Sequence, residues 1–207
     1  GVWTLISLRK SLFSGVKSGI AVARSGKEHT LAHTERDVPM KYIGIGLILF
    51  TLPLLALYQG IVGQWHVSVP MTIIMIVAGF LFVSVSAYMA GLVGSSNNPV
   101  SGITIATILF AALVLVVLVG RDSGIGAVAA IMIGAVVCCA ACIGGDNLQD
   151  LKAGHIVGAT PWKQQVMLAV GAVSSALIMA PVLNILAQAY GIGVASETHP
   201  NPLLAPQ

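Results

Sequence analysis

Between Lys41 and Arg121 the chain runs for 79 residues without an Asp, Glu, Lys or Arg. A bilayer core about 30 Å thick is crossed by about 20 apolar residues, so this run accommodates three crossings with two short polar interruptions. Uncharged runs at Ser123–Gly145 and Gln164–Ser196 follow. The pattern predicts an all-α integral membrane protein, a polytopic transmembrane helix bundle with spans at about 42–63, 71–92, 99–120, 124–144 and 161–190. Residues 1–38 differ: Trp3, Leu5, Ile6, Leu8, Leu12 and Phe13 are interleaved with Arg9, Lys10, Lys17 and Arg24, and a hydrophilic loop follows. That reads as the tail of a helix running into an interfacial one. Residues 191–207 read as an outer-side loop, and the ending Pro202–Gln207 reads as the interior of a longer polypeptide.

The fifth span, at roughly 45 Å for 1.5 Å per residue, exceeds the hydrocarbon thickness and must tilt, bend or break. Pro181 is the expected place, and Pro53 is the counterpart in the first span, since proline removes a donor and clashes with the preceding turn. Freed carbonyls line ion or substrate paths in some transporters and are packing accommodations elsewhere.

Composition agrees: 57% of residues are hydrophobic and 8% charged, against about 25% charged in soluble domains. With residues 1–38 on the cytoplasmic side, nine of the ten Lys and Arg face the cytoplasm and only Arg121 lies outside, which fixes the orientation. Trp65 and Trp162 fall at the two interfaces. A net charge of +3 with no basic, aromatic-interleaved patch points away from nucleic acid. No nucleophile elbow, phosphate loop or His-Glu-x-x-His is present, so no catalytic residue and no enzyme is expected. Cys138, Cys139 and Cys142 read as packing residues rather than a soft-metal pair, and no metal or other cofactor is expected. His29 and His33 fall in a solvated loop, and Ala87-x-x-x-Gly91 has the spacing of close helix packing.

Three polar constellations interrupt the apolar pattern. In Gly94–Gly102, Asn98-Pro99 reads as an N-cap followed by proline at the first helical position. Ser95, Ser96, Asn97, Asn98 and Ser101 would then surround a helix N-terminus that attracts anions such as a substrate carboxylate. The alternative is a tight turn at the membrane surface. In Gly144–His155, Asp146 and Gln149 have capping-box spacing, with a short helix 147–153 ending at Gly154. Asp146 and Asp150, at i and i+4, would share a face with Asn147, Gln149 and Lys152 nearby. Two carboxylates on one desolvated face favour proton retention on one of them, as proton coupling requires; the alternative is a solvated inner loop. In Ala159–Gln165, Thr160-Pro161 reads as cap and first helical residue, and Trp162 and Lys163 as interface anchors.

Gly91–Gly102 resembles the signature loop of the oligopeptide transporter (OPT) family. Gly145–Lys152 followed by Val157–Gln165 resembles a second block of it, in the right order and at the right separation. The resemblance implies a secondary transporter of small oligopeptides, usually proton-coupled, closer to bacterial than to plant members, in a bacterial inner membrane. Complete members have more than five spans, so the remaining helices, the bilayer, peptides and protons are the implied partners. The alternative it implies is a metal-chelate or siderophore transporter of the yellow-stripe-like branch. A non-transporting membrane scaffold subunit is a third reading. On this basis Ser95, Ser96, Asn97, Asn98 and Ser101 are expected to bind substrate. Asp146, Asn147, Gln149, Asp150 and Lys152 are expected to serve proton coupling or gating.

Overall fold

The computed structural model describes residues 32–120 and 124–191, together with Ser14, Lys17 and Ala21. The expected amphipathic segment ahead of residue 32, Arg121, and the loop after residue 191 lie outside the described residues. Five helices follow in order: α1 (Met40–Val62), α2 (Trp65–Val93), α3 (Val100–Val119), α4 (Gly124–Val157) and α5 (Pro161–Tyr190). Short 3-10 turns occupy His33–Glu35 and Ser95–Asn97. All five helices are long and apolar enough to cross a membrane. The chain is a multi-pass integral membrane protein.

Two boundaries depart from the sequence expectation. Helix α2 starts at Trp65 rather than near residue 71 and carries Pro70 inside its second turn. There, the missing N–H leaves only one early carbonyl unpaired, close to the outer interface. Helix α4 does not stop near residue 144. It runs through Gly144, Gly145 and Asp146 to Val157, a length of 34 residues, or about 51 Å against a core of about 30 Å. Asp146 is therefore no cap, no separate helix 147–153 exists, and Gly154 is helical. The reason is tertiary: both glycines sit where a neighbouring helix approaches too closely for a side chain. A Cβ on Gly144 would lie 2.9 Å from Val83 Cγ1, and one on Gly145 would run into the Asn98 amide. The helix closes one turn later at Gly158 (φ 75°). Ala159 N–H donates to Gly154 O at 2.8 Å and Gly158 N–H to His155 O at 3.3 Å, the paired bonds of a Schellman motif.

Residues 1–164 form one compact unit and 165–207 another. In the first, α4 is the central rod. Its buried residues Ala129, Ala130, Ile133, Val137 and Ala141 join Met71 and Met75 of α2 and Ile103, Ala111 and Leu115 of α3 in one core. Many members are small, because lipid tails are as apolar as leucine and helices gain by packing closely rather than by escaping solvent. Gly134 lies against Ile108 and Gly79 against Val137. Two buried threonines satisfy their hydroxyls within their own helices: Thr72 Oγ1 donates to Ser68 O at 2.9 Å and Thr107 Oγ1 to Ile103 O at 2.8 Å. The outer faces are apolar, with Phe50, Leu113 and Val117 exposed by 67%, 70% and 84%, a surface for hydrocarbon rather than water.

In the second unit α5 continues as one helix through Pro181, so of tilting, bending and breaking the last does not occur; α1 likewise passes through Pro53. Lys41 lies over the Tyr42 ring at 5.0 Å and Lys163 over the Trp162 ring at 5.9 Å. Both pairs lie in the first turn of a helix.

Candidate functional site

The first two polar constellations meet where α2 ends and α3 begins, the end of the bundle expected on the inner side and hereafter the inner end. Asn98 does not cap α3. No side chain caps that helix; Pro99 occupies the cap position with φ −77° and ψ 46°, and Val100 N–H donates to Asn98 O at 2.8 Å. The Asn98 side chain instead turns into the bundle. Its Nδ2 donates to Ala141 O of α4 at 3.2 Å, and its Oδ1 accepts from Ser86 Oγ of α2. The fully buried Ser86 hydroxyl also lies 3.3 Å from Ala141 O. One amide thus joins the 94–99 turn to two helices, and glycine at 145 leaves it room.

Two further ties run from α4 to the same turn. Ser95 N–H donates to Gln149 Oε1 at 2.8 Å. Lys152 Nζ donates to Gly91 O at 2.7 Å, placing a cation on the carbonyl end of α2, where the helix dipole favours it. Asn97 Nδ2 donates to Val93 O at 3.3 Å, capping a second terminal carbonyl. Gly91 packs on Leu148, a Cβ there lying 3.0 Å from Leu148 Cδ2, so the spacing Ala87-x-x-x-Gly91 does mark close helix approach.

Of the residues picked from sequence, the structure brings Ser95, Asn97, Asn98, Gln149 and Lys152 into one network. Ser96 and Ser101 are exposed beside it, without a side-chain hydrogen bond among the described residues. Helical continuity through residue 157 puts Asp146 and Asp150 one turn apart on α4. Both are exposed, and neither has a hydrogen-bond or ion-pair partner among the described residues; Asn147 is half-buried. Sequence reasoning missed Ser86 and the Ala141 carbonyl. Ser86 sits in the run Val83-Ser84-Val85-Ser86-Ala87, where nothing marks one serine as reaching another helix.

At the third constellation, Pro161 is the first residue of α5, as its sequence suggests. Thr160 O accepts from Lys163 N–H at 3.2 Å, and Trp162 N–H donates to Arg36 O at 3.1 Å, so a terminal donor is satisfied by the segment preceding α1.

Chemically, the inner end offers uncharged donors at the turn and paired carboxylates on α4. The N–H groups of Ser101 and Gly102 open α3 without partners among the described residues, an arrangement suited to an anion. Among the described residues no three His, Cys, Asp or Glu side chains come together as metal ligands. A separate groove of about 550 Å³ between α1 and α2, lined by Leu47, Phe50, Leu54, Met75 and Phe80, is almost wholly apolar and offers a peptide nothing to bond to.

The sequence model of the family described as OPT oligopeptide transporter protein matches residues 1–207. A Haemophilus influenzae protein provisionally named an oligopeptide transporter is 36% identical over 212 residues, which cover 94% of this chain and 33% of that protein. The chain thus spans about a third of the length of this curated relative. No solved structure matches it.

Proposed function

Because this chain belongs to the OPT oligopeptide transporter family, we propose that it takes part in moving small oligopeptides across a membrane, driven by protons, with α1 to α4 contributing to the wall of the path. The observation that carries this reading is the joining of the two polar blocks at one end of an otherwise apolar bundle. Ser95, Ser96, Asn97, Asn98 and Ser101, with the free N–H groups opening α3, form the substrate-facing element and suit a peptide carboxylate. Asp146 and Asp150 are the exchangeable carboxylates. Asn147 flanks them, and Gln149 and Lys152 hold the turn in register with them. The compartment is a bacterial inner membrane with residues 1–38 cytoplasmic.

The test is uptake of labelled di- to tetrapeptides into proteoliposomes of the complete protein, with and without an imposed inward proton gradient. Uptake stimulated by the gradient, and lost in both Asp146→Asn and Asp150→Asn while protein levels hold, is expected. Unchanged gradient-driven uptake in both variants removes these carboxylates from coupling. Competition by iron or nickel chelates stronger than by unlabelled peptide assigns the cargo to the chelate class instead.

A further inference from the structure

The face of α4 opposite its packed side changes character halfway along. In the outer half it carries the exposed Ile125, Val128 and Ile131. In the inner half it becomes mixed, carrying Cys139, Cys142, Asp146 and Asp150, all exposed, beside Ile143 at 42% exposure. Cys142, Asp146 and Asp150 follow one another at i, i+4 and i+8, so they form one stripe.

The contacts between α2 and α4 fix how deep this stripe lies. Gly144 meets Val83 at 2.9 Å and Ala87 at 3.7 Å, Gly145 meets Ala90 at 3.3 Å, and Gly91 meets Leu148 at 3.0 Å, all measured to a Cβ built on the glycine. Asp146 is therefore level with Ala90 and Gly91, and Cys142 lies one turn farther toward the membrane centre. At these levels, and inward beyond Asp146, the exposed residues of α2 are Tyr88, Leu92 and Val93, at 41%, 59% and 51% exposure. The lipid-type surface of α2 thus reaches past the carboxylate of its neighbour. Carboxylates at membrane depth face a bundle interior or a water-filled cavity, since hydrocarbon rejects them. The packed side of α4 is already taken by α2 and α3.

We infer that the Cys142–Asp146–Asp150 stripe lines a water-filled vestibule open to the inner side of the membrane and reaching inward as far as Cys142. The inference deepens the transport reading by naming the helix face along which cargo and protons enter or leave, but the vestibule itself is testable without any transport.

Cys142 is a native reporter of it. Inside-out vesicles bearing the complete protein are treated with a membrane-impermeant maleimide, and modification of Cys142 is followed by mass spectrometry. Tyr88→Cys, at nearly the same level on α2, is the lipid-facing reference, and both thiols are shown to react after denaturation. Because a thiol must ionise in water to react, Cys142 is expected to label on the order of tenfold faster than Tyr88→Cys. Equally slow labelling of both would place the stripe in hydrocarbon or under protein, and equally fast labelling would end the apolar band above this level; either result overturns the vestibule. Protection of Cys142 by trialanine joins the vestibule to the peptide path. Fast labelling without protection upholds the vestibule and counts against the peptide reading alone.

Discussion

The decisive residue of the inner end is Asn98, and its partners define what it tolerates. Its Nδ2 faces the Ala141 carbonyl and its Oδ1 faces the Ser86 hydroxyl. Polar contacts between membrane helices average about 0.6 kcal/mol, because the alternative states also find partners. Asn98→Ala should therefore cost only about 1 kcal/mol. Asn98→Asp is nearly isosteric but sets an oxygen against the Ala141 carbonyl, and should cost more than the alanine. Thermal unfolding of the detergent-solubilised protein checks this order; an aspartate variant as stable as the alanine one contradicts the orientation of the amide. Gly145 is the complementary test. Any Cβ there meets the Asn98 amide and Ala90, so Gly145→Ala should cost about 1–3 kcal/mol by overpacking. Gly44→Ala, where nothing lies within 4 Å, should be neutral or mildly stabilising by helix propensity.

At the scale of elements, α4 carries the argument. Its five-span context was legible because hydrocarbon imposes a simple filter: long uncharged runs mean crossings. Its length was not, because Gly144-Gly145-Asp146-Asn147 is locally indistinguishable from a helix stop and restart. Those residues remain helical because Val83, Ala87, Ala90 and Asn98 need the space a glycine leaves, information that resides some 50 residues away in the chain. Asn98 was misread for the same reason: its partner Ala141 is 43 positions distant, whereas an N-cap needs only its own next turn. Pro161, whose fixed φ is a local property, is the first residue of α5 as its sequence suggests. The true end of α4 at Gly158, with φ 75°, gives a prediction of its own. Gly158→Ala should destabilise by about 1 kcal/mol, since a side chain in that conformation is penalised. Lys152→Met should loosen the turn by withdrawing a donor from Gly91 O, and Lys152→Arg should restore protection. Hydrogen exchange of the Ser95 and Asn97 amides checks both.

For the whole molecule, the orientation expected from the charge asymmetry is open to a direct test. The positive-inside bias predicts the α1–α2 connection at Gly63 and Gln64, next to Trp65 and His66, outside, and the 94–99 turn and Gly158 inside. His66→Cys should react with an impermeant thiol reagent on intact cells, and Val157→Cys only in inverted vesicles; the opposite pattern reverses the orientation. Helix α4 connects these two sides as a proline-free rod of 34 residues, and that continuity makes it a phase-sensitive shaft. One alanine inserted after Val136 would turn everything below it by about 100° and lower it about 1.5 Å. Gln149 and Lys152 would then swing off the turn together, and the acidic stripe would rotate out of its sector in the same stroke. The same insertion after Ala159, beyond the rod, would leave both in place, so uptake should fall with the first insertion and survive the second.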